Sequence, residues 1–134
     1  MRFRYFDPAE QSTVEGDVRP GGEVEELIAL VGRLRTDRAP AVELIGPDGS
    51  TLVVGVAEDR AVLLFTDSAG VAAHSIGAPE HAGAGGGVVF DYFGSYTELP
   101  ASYAVPVAAA VAAADGFVAG DRPPVAAGLQ LSED

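Results

Sequence analysis

The sequence predicts an α+β fold: an antiparallel sheet of five or six strands in meander order, with two helices packed on one face. Apolar residues recur at helical spacing over 23–36 and again over 106–119. Between these segments, residues 41–93 hold short apolar runs separated by turn residues, and another apolar run covers 125–131. The chain of 134 residues has the length of a single domain, residues 1–134.

The first helix is predicted over 23–36, after an N-terminal segment, 1–20, that we expect to be irregular. Glycines precede the helix, and Pro40 ends it. Glutamates in its first turn and arginines at its end complement the helix dipole. One face of this helix holds Val24, Leu27, Ile28, Val31 and Leu34.

Antiparallel strands joined by tight turns are predicted for the middle of the chain. Gly46-Pro47-Asp48-Gly49-Ser50 lies between two apolar runs and is a hairpin signal. Asp67-Ser68-Ala69-Gly70 predicts a second turn, which leads into a strand over 71–76. Beyond it we expect a glycine-rich mobile loop, a strand and an irregular loop, at 77–87, 88–93 and 94–104.

The second helix is predicted over 106–119, because Pro106 suits the first position of a helix. Gly120 supplies a C-terminal stop, and the prolines that follow it forbid continuation. The final strand is predicted over 125–131. The apolar face of the second helix holds Val107, Val111, Ala114 and Val118, with Phe117 beside it.

Acidic residues outnumber basic ones, 20 Asp and Glu against 8 Arg, which gives a formal net charge of −12. Residues 1–45 have nine acids and six arginines, and residues 46–134 have eleven acids and two arginines. The negative charge is therefore concentrated after residue 45, where we expect the binding face. Because such a surface repels phosphate backbones and anionic headgroups, direct binding of nucleic acid or of a membrane is disfavoured.

Neither cysteine nor lysine occurs in the sequence. The chain thus has no disulfide framework, no thiolate metal ligand and no lysine for Schiff-base chemistry. The sequence shows no targeting segment and no apolar run long enough to span a bilayer, so we expect a cytoplasmic protein. The sequence leaves the oligomeric state open.

No constellation of residues predicts catalysis or a cofactor. His74 falls in a predicted strand, where we expect an imidazole that is either partly exposed or satisfied by hydrogen bonds, and His81 with one acidic neighbour is not a metal site. The glycines at 83–87 precede a strand, whereas a phosphate-binding loop precedes a helix. Glu58-Asp59 is expected to be a solvated turn and not a catalytic carboxylate pair. We therefore expect a protein that is not an enzyme and needs no metal or cofactor.

Aromatic and acidic residues concentrate between positions 90 and 103, which hold five of the ten aromatic residues. Tyrosine beside carboxylate is favourable for a surface that recognises a basic protein. Successive side chains of a strand lie on opposite faces, so some of these rings should be part of the core. We expect Tyr96 and Tyr103 to be the exposed pair.

Three segments together resemble immunity protein family one of bacterial polymorphic toxin systems. The first is the strand Thr51-Leu52-Val53-Val54-Gly55-Val56, which leads through a short turn to Ala61-Val62-Leu63-Leu64-Phe65-Thr66-Asp67. The second is Tyr92-Phe93-Gly94-Ser95-Tyr96-Thr97-Glu98-Leu99-Pro100. The third is the end of the second helix, Phe117-Val118-Ala119-Gly120-Asp121-Arg122-Pro123. The resemblance covers roughly residues 40–125.

The resemblance implies a protein that binds and blocks a cognate toxin domain. This family is similar in gene context to the immunities of deaminase-type toxins, which are zinc enzymes that act on nucleic acid bases and need a basic groove. The chain lacks the deaminase motifs, so it is not the toxin. On this interpretation the acids Asp67, Asp91 and Glu98 face the toxin. Tyr96 and Tyr103 serve as apolar anchors, and the toxin's substrate groove or zinc pocket is occluded.

Two alternatives remain open at the level of the sequence. The first is an acidic protein-interaction module without a toxin partner, which the composition fits equally well. The second is a small-molecule-binding or hydrolytic enzyme that uses His74 or His81 with nearby acids, and it requires a concave pocket that converges on a histidine.

Overall fold

Ten strands and two helices follow one another along the described part of the computed structural model, which comprises residues 1–7, 9–34, 39–57, 60–76, 87–92, 95–100, 103–120 and 130–133. The helices are α1 (Gly22–Gly32) and α2 (Val107–Ala119). The strands are β1 (Arg2–Asp7), β2 (Ser12–Asp17), β3 (Ala39–Ile45), β4 (Thr51–Ala57), β5 (Arg60–Thr66), β6 (Ala72–Ile76), β7 (Gly87–Tyr92), β8 (Ser95–Pro100), β9 (Val105–Pro106) and β10 (Gln130–Glu133).

The main sheet has the order β10-β6-β5-β4-β3-β1-β2, with antiparallel pairing between all neighbours. Strands β3 to β6 form the predicted meander. The hairpin β7–β8 joins the beginning of β3 through a short parallel pairing, and β9 pairs with β5. The predicted α+β fold class is thus confirmed, although the described strands outnumber the five or six expected.

The prediction of an irregular segment over 1–20 was wrong, because this segment forms the β1–β2 hairpin. Strand β1 pairs with β3, with Tyr5 opposite Val42, and Tyr5 is buried in the core. The arginines at alternate positions of β1 concealed its apolar face. The prediction of a loop over 94–104 was also wrong, since β8 pairs with β7 along its whole length.

Helix α1 begins as predicted and ends at Gly32, before the predicted boundary at residue 36. Glycine is a poor helix former, and Arg33 follows it as the C-terminal cap, with its N–H directed at the carbonyls of Ala29 and Leu30. Of the arginines expected at the end of this helix, Arg33 is its C-terminal cap, whereas Arg35 and Arg38 lie outside the described residues. The predicted apolar face is buried at Val24, Leu27, Ile28 and Val31, with Leu34 packed against the core.

Helix α2 buries a face that overlaps the predicted one only at Ala114 and Phe117. Its buried residues are Ala110, Ala113, Ala114 and Phe117, whereas the predicted Val107, Val111 and Val118 are only partly buried. Small alanines let the helix approach the sheet closely. Pro106 caps the helix and does not occupy its first turn. Neither α1 nor α2 is long and apolar enough to cross a membrane.

The core lies between one face of the sheet and the two helices, as predicted. Register places Tyr5, Val42, Val54 and Leu63 in one row across four strands, and all four are buried. Phe117 of α2 packs edge-to-face against the ring of Phe65, with centroids 6.1 Å apart.

The opposite face of the sheet is also covered in part. The Arg4 Nη2 atom lies 2.7 Å from a carboxylate oxygen of Glu43, a residue that is only 7% exposed. Ala41, Val62 and His74 belong to this face and are buried. The hairpin β7–β8 approaches this part of the sheet through its contacts with β3 and β4.

Candidate functional site

Asp67 lies in the predicted turn between β5 and β6, and its carboxylate holds that turn together. Its Oδ1 atom accepts hydrogen bonds from the N–H groups of Ala69 at 2.9 Å and Val71 at 2.8 Å. The turn is closed by the Asp67 N–H, which donates to the Val71 carbonyl, and by Gly70, whose φ of +90° is costly for other residues. The first partner-binding candidate therefore has a local structural role.

Tyr103 lies just before β9, and its ring stacks on the imidazole of His74. The two centroids are 3.7 Å apart and the planes differ by 8°. His74 is buried, and its Nδ1 atom lies 3.0 Å from the carbonyl oxygen of Ser75, so of the two expected cases the imidazole is the hydrogen-bonded one and not the partly exposed one. The expectation that Tyr103 is exposed was wrong: the ring is partly buried, because it covers a histidine on the face of the sheet away from the helices.

Ser75 connects this aromatic pair to the sheet. The Leu63 N–H donates to its hydroxyl at 3.1 Å, and the hydroxyl donates to the carbonyl oxygen of Tyr103 at 2.6 Å. Strand β5 changes partner here, because it pairs with β6 from Leu64 onward and with β9 at Ala61. The fully buried hydroxyl thus satisfies backbone groups at the point where the ladder changes partner.

The other three candidates, Asp91, Tyr96 and Glu98, lie on the hairpin β7–β8. Register sets Asp91 opposite Tyr96 and Val89 opposite Glu98. Because directly paired positions and alternate positions of a strand share a face, positions 91, 96 and 98 belong to the same face of the hairpin.

The structure does not bring the five partner-binding candidates into one cluster. Asp91 pairs with Pro40 at the beginning of β3, whereas Asp67 follows Thr66, which is in register with Thr51 and Ile45 at the end of β3. Five residues of extended strand span roughly 16 Å. Asp67 therefore lies at the end of the sheet remote from the hairpin.

The acids after residue 45 whose side chains the structure describes are engaged by backbone groups. Besides Asp67, Asp48 accepts from the N–H and hydroxyl of Ser50 in the predicted hairpin turn, and Asp115 of α2 accepts from the N–H of Gly21. Exposed acids also occur before residue 45, on β2 and α1 and in the turn before β2: Glu10, Glu15, Asp17, Glu23, Glu25 and Glu26. The accessible negative charge is therefore not confined to the part of the chain after residue 45.

A shallow groove of about 260 Å³ lies between α1, α2 and the end of β4. Its lining is mostly apolar, with one acidic residue, and contains no histidine: Glu25, Ile28, Ala29, Gly32, Val56, Val107 and Val111. Within the described ranges no three His, Asp or Glu residues come together as a metal site would require. His81, Glu58-Asp59 and the glycines at 83–86 lie outside the described residues.

Sequence reasoning missed Ser75 and the contact between His74 and Tyr103. A serine inside a strand has no distinctive neighbour pattern, and 28 residues separate it from Tyr103. Only the change of partner along β5 brings the two together, and that change depends on the whole topology.

No curated protein sequence matches the chain significantly. A family model does match it: the model described as Immunity protein Imm1 covers residues 15–129, from β2 to the residue before β10. This match spans most of the chain and includes the three segments on which the resemblance was based. The chain therefore belongs to the Immunity protein Imm1 family.

Proposed function

We propose that this immunity protein neutralises a basic, nucleic-acid-targeting toxin domain of the deaminase type by occluding its active site or substrate groove. The match to the Immunity protein Imm1 model over residues 15–129 carries the proposal, because membership of such a family implies a cognate toxin. We place its action in the cytoplasm, where the nucleic acid of the producing cell is exposed to the toxin, and we assign it a binding role without catalysis.

The charge of the chain supports the class of partner. A net charge of −12 is complementary to a groove that binds a polynucleotide through Lys and Arg. Electrostatic steering raises association rates well above those of neutral surfaces, and fast capture protects a cell that contains a lethal enzyme. The acidic protein would thus take the place of the polyanionic substrate.

The hairpin β7–β8 is the surface we propose for this contact. Positions 91, 96 and 98 share one of its faces by register, which combines two acids with one tyrosine. Tyr103 and, at the end of the sheet remote from the hairpin, Asp67 complete the proposed partner-binding set, and their intramolecular contacts give both residues a fixed geometry. Fixed side chains lose little entropy on binding, which favours affinity.

Co-expression with the toxin domain encoded beside the immunity gene tests the proposal. We expect restored growth and co-purification of the two proteins. Association should slow as ionic strength rises, because screening shortens the range of the attraction. Restored growth without a complex would contradict direct inhibition, and an association rate independent of salt would contradict steering. A chain that binds other proteins but never this toxin would be the acidic interaction module instead.

A further inference from the structure

Strand β2 forms one edge of the main sheet. It pairs with β1, and no described strand pairs with its other side. The side chains of Thr13, Glu15 and Asp17 are exposed along it. A strand with one neighbour presents unpaired backbone N–H and C=O groups on its free side, where another extended chain can add to the sheet.

Register identifies the backbone groups that face outward. The Val18 N–H donates to the carbonyl oxygen of Met1 at 2.9 Å, and these two residues continue the register of the β1–β2 ladder. Hydrogen-bonded and non-hydrogen-bonded pairs alternate along an antiparallel ladder. The backbone groups of alternate residues therefore point away from β1, and these residues are Thr13, Glu15 and Asp17.

Side-chain packing fixes this edge in place. Gly16 lies opposite Phe3, whose ring covers it so closely that a Cβ atom on Gly16 would stand 2.7 Å from the Phe3 Cζ atom. An aromatic ring over a strand glycine replaces the packing that glycine lacks. Val14 lies opposite Tyr5, which belongs to the core. These contacts hold β2 against β1 and leave its other side free to pair.

The acidic side chains along the free edge of β2 favour a basic partner strand. Glu15 forms an exposed ion pair with Arg2 at 3.1 Å, and no described side chain forms an ion pair with Asp17. If two copies of the chain paired antiparallel through the free edge of β2 with Thr13 opposite Asp17, each Glu15 would face its counterpart, and directly opposed like charges are destabilising. A strand with Lys or Arg at alternate positions would place cations opposite these acids instead.

We propose that the free edge of β2 binds an extended basic segment of the toxin domain as an additional strand. This inference rests on the proposed function and adds to it a contact through the backbone of Thr13, Glu15 and Asp17. The toxin would bind here by strand addition, a mode of recognition that contact with the hairpin β7–β8 does not require.

Thr13→Pro tests the inference, with Thr13→Val as the matched control. Proline at position 13 removes an outward N–H without removing a hydrogen bond to β1, and edge strands tolerate it. Affinity for the toxin domain encoded beside the gene should fall about tenfold or more in Thr13→Pro, because a hydrogen bond is lost and the ring obstructs the added strand. Thr13→Val should bind as the unmodified chain does. Equal affinity of the two variants would overturn the inference.

Amide exchange of the unmodified chain gives a test that does not depend on a variant's folding. In the free protein, the amides of Val14, Gly16 and Val18 should exchange slowly and those of Thr13, Glu15 and Asp17 rapidly. In the complex the second set should become protected. A complex in which these amides remain unprotected would overturn strand addition and leave the proposed function intact. If the unmodified chain forms no complex with the toxin domain, the proposed function fails and this inference fails with it.

The salt dependence of binding tests separately whether the added strand is basic. Asp17→Asn should weaken the complex at low ionic strength, and the difference from the unmodified chain should shrink as salt screens the charge. Binding by Asp17→Asn that equals that of the unmodified chain at low ionic strength would contradict recognition of a basic segment.

Discussion

The ring of Tyr103 lies parallel to the imidazole of His74, with centroids 3.7 Å apart, although 29 positions separate the two residues in the chain. This contact covers a histidine on the face of the sheet that the helices leave uncovered. It also fixes the segment that leads into β9 and α2. Tyr103 therefore links the proposed partner surface to the packing of the sheet.

Removal of the Tyr103 ring is expected to affect stability as well as binding. Tyr103→Ala should lower the free energy of unfolding by on the order of 1–2 kcal/mol, because the stacked pair and its buried area are lost. Tyr103→Phe keeps the stack and should retain nearly all of that stability. Denaturant unfolding of both variants measures the difference. Equal stability of Tyr103→Ala and the unmodified chain would show that the stack contributes nothing to the fold.

Ser75 should be more important for stability than other serines of the chain. Ser75→Ala leaves the Leu63 N–H without its acceptor in a buried environment and the Tyr103 carbonyl without its donor in a partly buried one. Such unsatisfied groups cost about 1–3 kcal/mol. Ser68→Ala, in the exposed turn after β5, is the matched control and should change stability by less than about 0.5 kcal/mol. Similar unfolding midpoints for the two variants would contradict the bridging role.

Local patterns in the sequence predicted the elements whose signals lie within a few residues. The turns at Asp48 and Asp67 were predicted because aspartate can accept from backbone N–H groups two residues further on, and both carboxylates do so. The inward residues of α1 were predicted because a helix with one buried side shows its period in the sequence.

Elements that depend on distant partners were predicted poorly. Strand β1 was missed because its arginines interrupt the apolar pattern, and Arg4 is accommodated by Glu43 of β3, 39 residues away. The inward face of α2 was predicted correctly only at Ala114 and Phe117, because alanines and valines surround the whole helix and no period distinguishes one side. For the candidate site, sequence reasoning grouped Asp67 with Asp91, and only the sheet register shows that they lie far apart.

The packing of α2 predicts a sharp difference between two neighbouring alanines. Ala113 is fully buried, whereas Ala112 is exposed. Ala113→Leu should destabilise the protein by about 1–3 kcal/mol, because the added atoms force the helix away from the sheet. Ala112→Leu adds the same atoms on the solvent side and should be within about 0.5 kcal/mol of the unmodified chain. Thermal unfolding of the two variants distinguishes them, and equal losses would contradict the orientation of α2.

Alkaline pH should destabilise the fold through Tyr5. Burial, with a smaller contribution from the nearby charge of Asp7, raises the pKa of the Tyr5 phenol above its usual 10.0. The unfolded chain therefore loses this proton at a lower pH than the folded chain does, and stability falls as pH rises above about 10. Tyr5→Phe should show a smaller loss between neutral and alkaline pH in denaturant unfolding. An unchanged pH profile would contradict this assignment.

The central claim is that the acidic chain blocks a nucleic-acid-acting toxin by binding to it. The most direct measurement is the activity of the purified toxin domain on nucleic acid, titrated with the purified immunity protein at moderate salt. We predict that activity falls linearly and vanishes at a fixed stoichiometry, with a complex isolated at the same ratio. Full toxin activity in the presence of excess immunity protein would contradict the account.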